Sequence, residues 1–220
     1  MVLREPTNTV RIKERLLEIL SFEMTPFAMN CYVIKDSGEA LVIDPGEATA
    51  ELRACVADDT VTMIFNTHCH IDHSGGNAGM VAATGAPLVC HRADLPLLRA
   101  LQEQGMMFGV DCEPSPEPDR FIEEGEIVKV GKVELEVRHT PGHAPGHVVL
   151  VGDGFVIGGD VLFNGSIGRT DLPGGSFEQL LHSIKTKLWP LPDDTVVYCG
   201  HGPSTTIGRE RATNPFLRGL

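Results

Sequence analysis

Three imidazoles and a carboxylate crowd six consecutive positions of this 220-residue chain: His68-Cys69-His70-Ile71-Asp72-His73. So many polar ligands in so short a run suit neither an ordinary core nor an ordinary loop. Imidazole nitrogen and carboxylate oxygen are the donors that borderline divalent ions such as zinc or ferrous iron prefer. His68 and His70 sit two apart and point the same way from extended backbone, whereas Asp72 and His73 lie past the bend. One tetrahedral ion cannot easily use all four, but two neighbouring ions can. The pattern reads as a metal site for two ions, set against a solvated, histidine-rich turn.

The flanking residues say how these donors are presented. Val61 to Phe65 is a short β-branched and aromatic run, a buried strand that ends where the donors begin. Ser74-Gly75-Gly76-Asn77 supplies helix-start chemistry, and Ala78 to Ala83 follows as helix. Three further apolar runs end in the same kind of residue. Val133 to Val137 leads into His139-Thr140-Pro141-Gly142-His143-Ala144-Pro145-Gly146-His147, Phe155 to Gly159 into Asp160, and Thr195 to Gly200 into His201. Glycines beside each donor let backbone crowd a site.

In these motifs the chain resembles the metallo-β-lactamase superfamily, and within it the short bacterial glyoxalase II-like hydrolases. The likeness rests on H-x-H-x-D-H at 68–73, Thr140-Pro141-Gly142-His143, Gly159-Asp160-Val161-Leu162-Phe163, Gly168-Arg169-Thr170-Asp171 and Gly200-His201-Gly202-Pro203, and it runs from about Phe27 to about Phe216. It implies an α/β (α+β) fold, a four-layer αββα sandwich of two mixed β-sheets flanked by helices. Residues 1–220 form one domain on this reading, with a core of about 17–216 and a short N-terminal extension at 1–16. His68, His70 and His143 would hold a first metal, and Asp72, His73 and His201 a second, with Asp160 bridging. The ions would be divalent: zinc first, iron or manganese as alternatives. Asp44, in its Asp-Pro-Gly turn, matches an aspartate that steadies the ligand loop or serves the turn alone. Thr67 and Thr140 could brace the same loops, His147 is a packed or bracing histidine, and His139 braces rather than ligates. His91 and His182 read as structural or surface residues.

The implied chemistry is metal-dependent hydrolysis. Paired cations lower the pKa of water from about 16 to around 7, and the bridging hydroxide attacks a carbonyl, with Asp72 and Asp160 as catalytic carboxylates. A thioester suits a site without a dedicated general acid, because a thiolate with pKa near ~8.5 departs readily. S-lactoylglutathione, the glyoxalase II substrate, is therefore the first candidate. Two departures bear on glutathione. The C-terminal helical extension of full-length glyoxalase II is missing after Thr206, and its carboxylate-gripping lysine and tyrosine give way to Gly168-Arg169-Thr170-Asp171. Arg169 could bind a carboxylate with its planar fork, or form a structural ion pair. Competing readings are a mononuclear-iron persulfide dioxygenase, a β-lactamase and a non-catalytic metal-binding protein. The complete second ligand set favours the hydrolase.

With 42% hydrophobic residues the chain can bury a full core. No apolar run approaches the ~20 residues of a membrane span, and the start, Met1 to Pro6, lacks an apolar signal core. Six cysteines without framework spacing read as free thiols in a reducing cytoplasm, with Cys69 turned away from the metals. The net charge of −12, with seven acids against Arg120 between Asp111 and Glu126, argues against a nucleic-acid partner. The partner is a small-molecule thioester, and nothing in the sequence sets an oligomeric state. Helices are expected at 47–57, at Ala93–Leu101 and, from the spacing of Phe177, Leu180, Leu181, Ile184 and Leu188, along an amphipathic face packed on a sheet. Arg11 to Leu20 could be a helix by composition, with its end merging into the family's first strand. Gln104 to Arg120 lacks periodicity, and reads either as a disordered insertion or as a lid carrying Met106, Met107 and Phe108 to the substrate.

Overall fold

Leu17 and Ile19 turn inward while Glu18 between them stays exposed, and this two-residue period marks a strand. The computed structural model describes residues 8–12 and 15–220. Its first sheet runs in chain order through β1 (Asn8–Ile12), β2 (Arg15–Met24), β3 (Met29–Asp36), β4 (Glu39–Ile43), β5 (Thr60–Phe65), β6 (Leu88–His91) and β7 (Arg120–Ile122). Pairing is antiparallel from β1 to β4 and parallel from β4 to β7. The helix suggested by the composition at the start of Arg11 to Leu20 gives way to β1, while its end does run into a strand, β2. Cross-strand pairing with β3 outweighs local propensity, and among the described residues the sheet begins at Asn8.

The second sheet is built from β8 (Ile127–Val130), β9 (Val133–His139), β10 (Val148–Gly152), β11 (Phe155–Gly159), β14 (Val196–Cys199) and β15 (Thr205–Thr206), with a small hairpin of β12 (Leu162–Phe163) and β13 (Ser166–Ile167) beside it. Its order is β15-β14-β11-β10-β9-β8, with β11 and β14 parallel. Because β10 is antiparallel to both β9 and β11, the chain leaves β9, β11 and β14 at one edge.

Apolar faces decide the layering. Ile34, Leu41, Ile43 and Phe65 of the first sheet meet Leu135, Val137, Leu150 and Phe155 of the second in the central core. The outer face of the first sheet is covered by α1 (Ala50–Cys55), α2 (Ile71–Ser74), α3 (Asn77–Thr84), α4 (Leu95–Arg99) and α5 (Leu101–Phe108), which contribute Leu52, Ile71, Met80, Leu98 and Leu101. Leu180 of α6 (Phe177–Ser183) and Ile207 of α7 (Ile207–Thr213) cover the second. The protein is an αββα sandwich of two mixed sheets flanked by helices. No helix among the described residues is long and apolar enough to cross a membrane.

Several local expectations shift. The helix expected at 47–57 is confined to α1, whose first turn is capped by the Thr49 hydroxyl. The one expected at Ala93–Leu101 divides into a 3₁₀ turn at Arg92–Asp94, then α4, and breaks at Ala100. Gln104 to Phe108, read as aperiodic, belong to α5, which buries Leu101 and Gly105 and stops at Gly109 in a left-handed conformation. The amphipathic run after Ser176 continues past α6 as a π-helical turn, Ile184–Leu188, with Phe177 half-exposed rather than packed on the sheet.

Candidate metal centre

β5 ends at Phe65, and the backbone stays tied to the second sheet where the Thr67 carbonyl accepts the Val148 N–H at 2.8 Å. His68 and His70 follow. Asp72 and His73, expected on a loop, lie on the single-turn helix α2, for which extended His70 is the N-cap. Side chains from elsewhere hold this segment. Asp94 Oδ2 accepts the Cys69 N–H (3.0 Å), Gln104 Oε1 accepts the Ile71 N–H (3.0 Å), and Asn66 Nδ2 donates to the His73 carbonyl (3.2 Å). Cys69 is buried in the apolar layer beneath the helices of the first sheet.

The second sheet delivers the rest. His143 comes from the β9–β10 loop, Asp160 follows β11, and His201 follows β14. Asn30 ties that last end to β3, its N–H donating to Gly200 O at 2.7 Å and its side-chain amide to Cys199 O and Gly202 O. At Gly200 any Cβ would lie 2.1 Å from Asp160 Oδ1, so only glycine lets the strand end approach that carboxylate.

All seven expected ligands converge. His143 Nε2 stands 2.9 Å from His70 Nδ1 and 3.3 Å from His68 Nε2. Tetrahedral coordination with bonds of ~2.0–2.1 Å places ligand atoms about 3.3–3.4 Å apart, so this trio is close to the spacing one ion needs. In the second group, Asp72 Oδ2 is 3.2 Å from His201 Nε2 and 3.8 Å from His73 Nε2. Asp160 lies between the groups: Oδ1 is 3.4 Å from His73 Nε2, and Oδ2 is 3.5 Å from both His143 Nε2 and His201 Nε2. Among the described residues, the buried side-chain N and O atoms without a hydrogen-bond partner are His70 Nε2, His73 Nε2 and Asp160 Oδ1, all in this cluster. A donor set of this kind, with unsatisfied buried atoms, fits divalent ions.

Outer contacts fix the rings. Asp44, with φ at +53°, accepts from Thr67 N (2.7 Å) and Thr67 Oγ1 (2.6 Å) and meets His73 Nδ1 at 3.0 Å. Asp44 also lies near His68, but its oxygens are taken up by Thr67 and His73, and His68 Nδ1 meets Thr67 Oγ1 at 3.1 Å. His143 Nδ1 faces the Arg169 carbonyl (2.8 Å), and His201 Nδ1 faces Phe27 O (3.1 Å). His147 is wholly buried: Nε2 accepts from the Asp160 N–H at 2.9 Å, Nδ1 meets Thr140 Oγ1, and its ring stacks on His68. His139 stacks on His91 at the end of β6 and meets Pro145 O, so it touches the 141–146 loop rather than a ligand ring. His182 lies on α6, exposed and away from the cluster.

Burial pushes His68, His143 and His147 below the ordinary histidine value, and His70 down to about 3, leaving these imidazoles neutral. Burial also opposes charge on His73 and His201. There the carboxylates prevail, with Asp160, Asp72 and Asp44 raising His73, and Asp160 and Asp72 raising His201 to about 10. Burial would raise Asp160, but His73 and His201 hold it well below the usual carboxylate range.

The family model of the metallo-β-lactamase superfamily matches residues 24–201, a span that contains every one of these candidate ligands. The chain belongs to this superfamily. A relative named hydroxyacylglutathione hydrolase GloC, from Haemophilus influenzae, is 40% identical over 201 residues, covering 88% of this chain and 95% of the relative. Among solved structures, the BLEG-1 B3 metallo-β-lactamase superposes with a TM-score of 0.84 at 36% identity, covering 91% of this chain and all of that one. TTHA1623 in a di-iron-bound form gives 0.82 at 37% identity, covering 90% and 100%.

A cleft of about 580 Å³ opens onto this cluster, bordered by His70, Asp72, His143, Asp160 and His201. Arg169 also lines it, but its guanidinium is exposed and held bidentately by Asp171, both N–H···O distances being 2.7 Å. Sequence reasoning missed Asp94 and Gln104. Asp94 is fully buried and also accepts the Gly146 N–H, so it joins the two ligand loops. The one available signal was an acid inside the apolar run Ala93-Asp94-Leu95-Pro96-Leu97-Leu98.

Proposed function

We propose that this protein is a metal-dependent hydrolase of thioesters, with S-lactoylglutathione the first substrate to assay. His68, His70 and His143 would hold one divalent ion, Asp72, His73 and His201 another, and Asp160 would bridge them. Zinc is the first expectation, and the di-iron form of TTHA1623 keeps iron open alongside manganese. The observation that carries this reading is the convergence of seven donors into two adjoining sets with Asp160 between them.

Bound ions would supply a nucleophile from water at neutral pH and polarise the carbonyl. The chain's own residues do the positioning. Asp72 and Asp160 accept hydrogen bonds from the attacking solvent molecule, the Arg169 carbonyl fixes the His143 ring, and Asp44 fixes His73. A departing thiolate, with pKa near ~8.5, needs no proton donor, which agrees with a cluster whose acids are held ionised. Free thiols at all six cysteines agree with a reducing cytoplasm.

The deciding experiment quantifies metal in purified protein and measures turnover of S-lactoylglutathione and other acyl thioesters before and after chelation. Turnover that survives exhaustive chelation would overturn the proposal, as would oxygen uptake with glutathione persulfide in place of hydrolysis. The likeness to BLEG-1 supports a second reading as a β-lactamase, and nitrocefin hydrolysis tests it directly.

A further inference from the structure

We infer that the substrate is an uncharged, apolar acyl thioester rather than a glutathione conjugate, an inference that rests on the hydrolase reading above. Seven large hydrophobic side chains stand exposed on the described residues, and three of them, Phe27, Met107 and Phe108, line the cleft beside the metal ligands. Phe27 comes from the turn between β2 and β3 and Phe108 from the end of α5, yet their rings meet edge to face at 5.8 Å and 85°. Phe163, Leu172 and Pro173 add further apolar lining, and the Phe163 ring lies 6.0 Å from that of His201. The apolar lining therefore runs up to the ligands themselves. Contiguous exposed apolar surface in a cleft of this size marks a binding site for an apolar group. An unbranched methionine lets such a wall fit chains of differing shape.

Charge points the same way. Apart from the ligand histidines and aspartates, the charged side chains lining the cleft are Glu103 and Arg169. Asp171 occupies the Arg169 fork, and Glu103 is itself an acid. A glutathione conjugate brings two carboxylates and one ammonium. Glu103 can meet the ammonium, but among the described lining residues none offers the two carboxylates an unpaired lysine or arginine. An octanoyl or similar arm meets the apolar side chains and leaves no charge unmatched.

The test compares octanoyl- and acetyl-N-acetylcysteamine with S-lactoylglutathione on metal-loaded protein. The octanoyl thioester is expected to show at least tenfold higher kcat/KM than either of the others. Thioester turnover without that preference overturns this inference and leaves the hydrolase reading standing. Binding of unreactive thioethers, measured by calorimetry, separates the two claims. If no thioester is hydrolysed but S-octyl-N-acetylcysteamine binds at least tenfold more tightly than its S-methyl analogue, the hydrolase reading falls and the apolar cleft stands. Equal binding of the two overturns the cleft assignment. Met107→Asp, at a position 71% exposed, is expected to cut the octanoyl-to-acetyl preference at least fivefold, and an unchanged ratio overturns the role of this wall.

Discussion

Asp44 Oδ2 meets His73 Nδ1 at 3.0 Å while the same carboxylate takes both the N–H and the hydroxyl of Thr67. One buried acid thus sets a ring on α2 and the backbone that leads into it. Asp44→Asn keeps the shape, and asparagine tolerates the left-handed backbone, but one of these donors loses its acceptor. Leaving it unpaired is expected to cost about 1–3 kcal/mol of stability. Metal affinity is expected to fall roughly 10–100-fold. Chelator competition and denaturant melts check the two effects separately.

His70→Ala removes a donor that stands 2.9 Å from His143 Nε2. Metal content per chain is expected to drop and thioester hydrolysis to fall by more than the roughly hundredfold upper range for outer-partner losses. Retained metal and activity would refute its assignment as a ligand.

Gly200→Ala places a methyl group 2.1 Å from Asp160 Oδ1, so the carboxylate between the two donor sets must move. Overpacking of this kind costs about 1–3 kcal/mol. Elemental analysis is expected to find fewer ions per chain, and a full complement would show that Asp160 yields without losing its grip.

Asp94 supplies a pH dependence with a definite sign. Burial raises its pKa from 3.8 to about 6, against the opposing backbone hydrogen bonds from Gly146 and Cys69. The folded chain therefore holds this proton more tightly than the unfolded one. The stabilising contribution is complete below about pH 4 and is lost as pH rises to about 6, amounting to roughly 3 kcal/mol. Urea melts of metal-stripped wild type and Asp94→Asn between pH 4 and 7 should diverge in that window. Parallel curves would show that the carboxyl is not so perturbed.

Asp171 occupies both arms of the Arg169 guanidinium at the rim of the cleft. Asp171→Asn should free that charge and lower KM for S-lactoylglutathione about two- to fivefold. The gain should shrink at high salt. A KM that does not move removes Arg169 from contact with an anionic substrate.

The clustering of the candidate donors was legible because polar residues interrupt β-branched runs at strand ends, while the choice of His143 over His147 rested on the family resemblance. The same runs marked individual strands, whereas the layered fold was implied by the family resemblance that the motifs carry. Arg11 to Leu20 misled because its composition suits a helix, and only pairing with β3 makes its alternation decisive. Asp94 stood out only as an acid in an apolar run, and its role was not legible because the two N–H groups it receives lie 25 and 52 residues away along the chain. Arg169 was noticed for its guanidinium, yet the atom that reaches a ligand is its carbonyl oxygen, which any residue possesses.

The donors are divided between the layers: His68, His70, Asp72 and His73 come from the first sheet, and His143, Asp160 and His201 from the second. During synthesis the earlier four emerge with no closed coordination shell available to them. An ion shared by donors from both sheets would bind only the docked pair, and would act as a rivet that resists their separation.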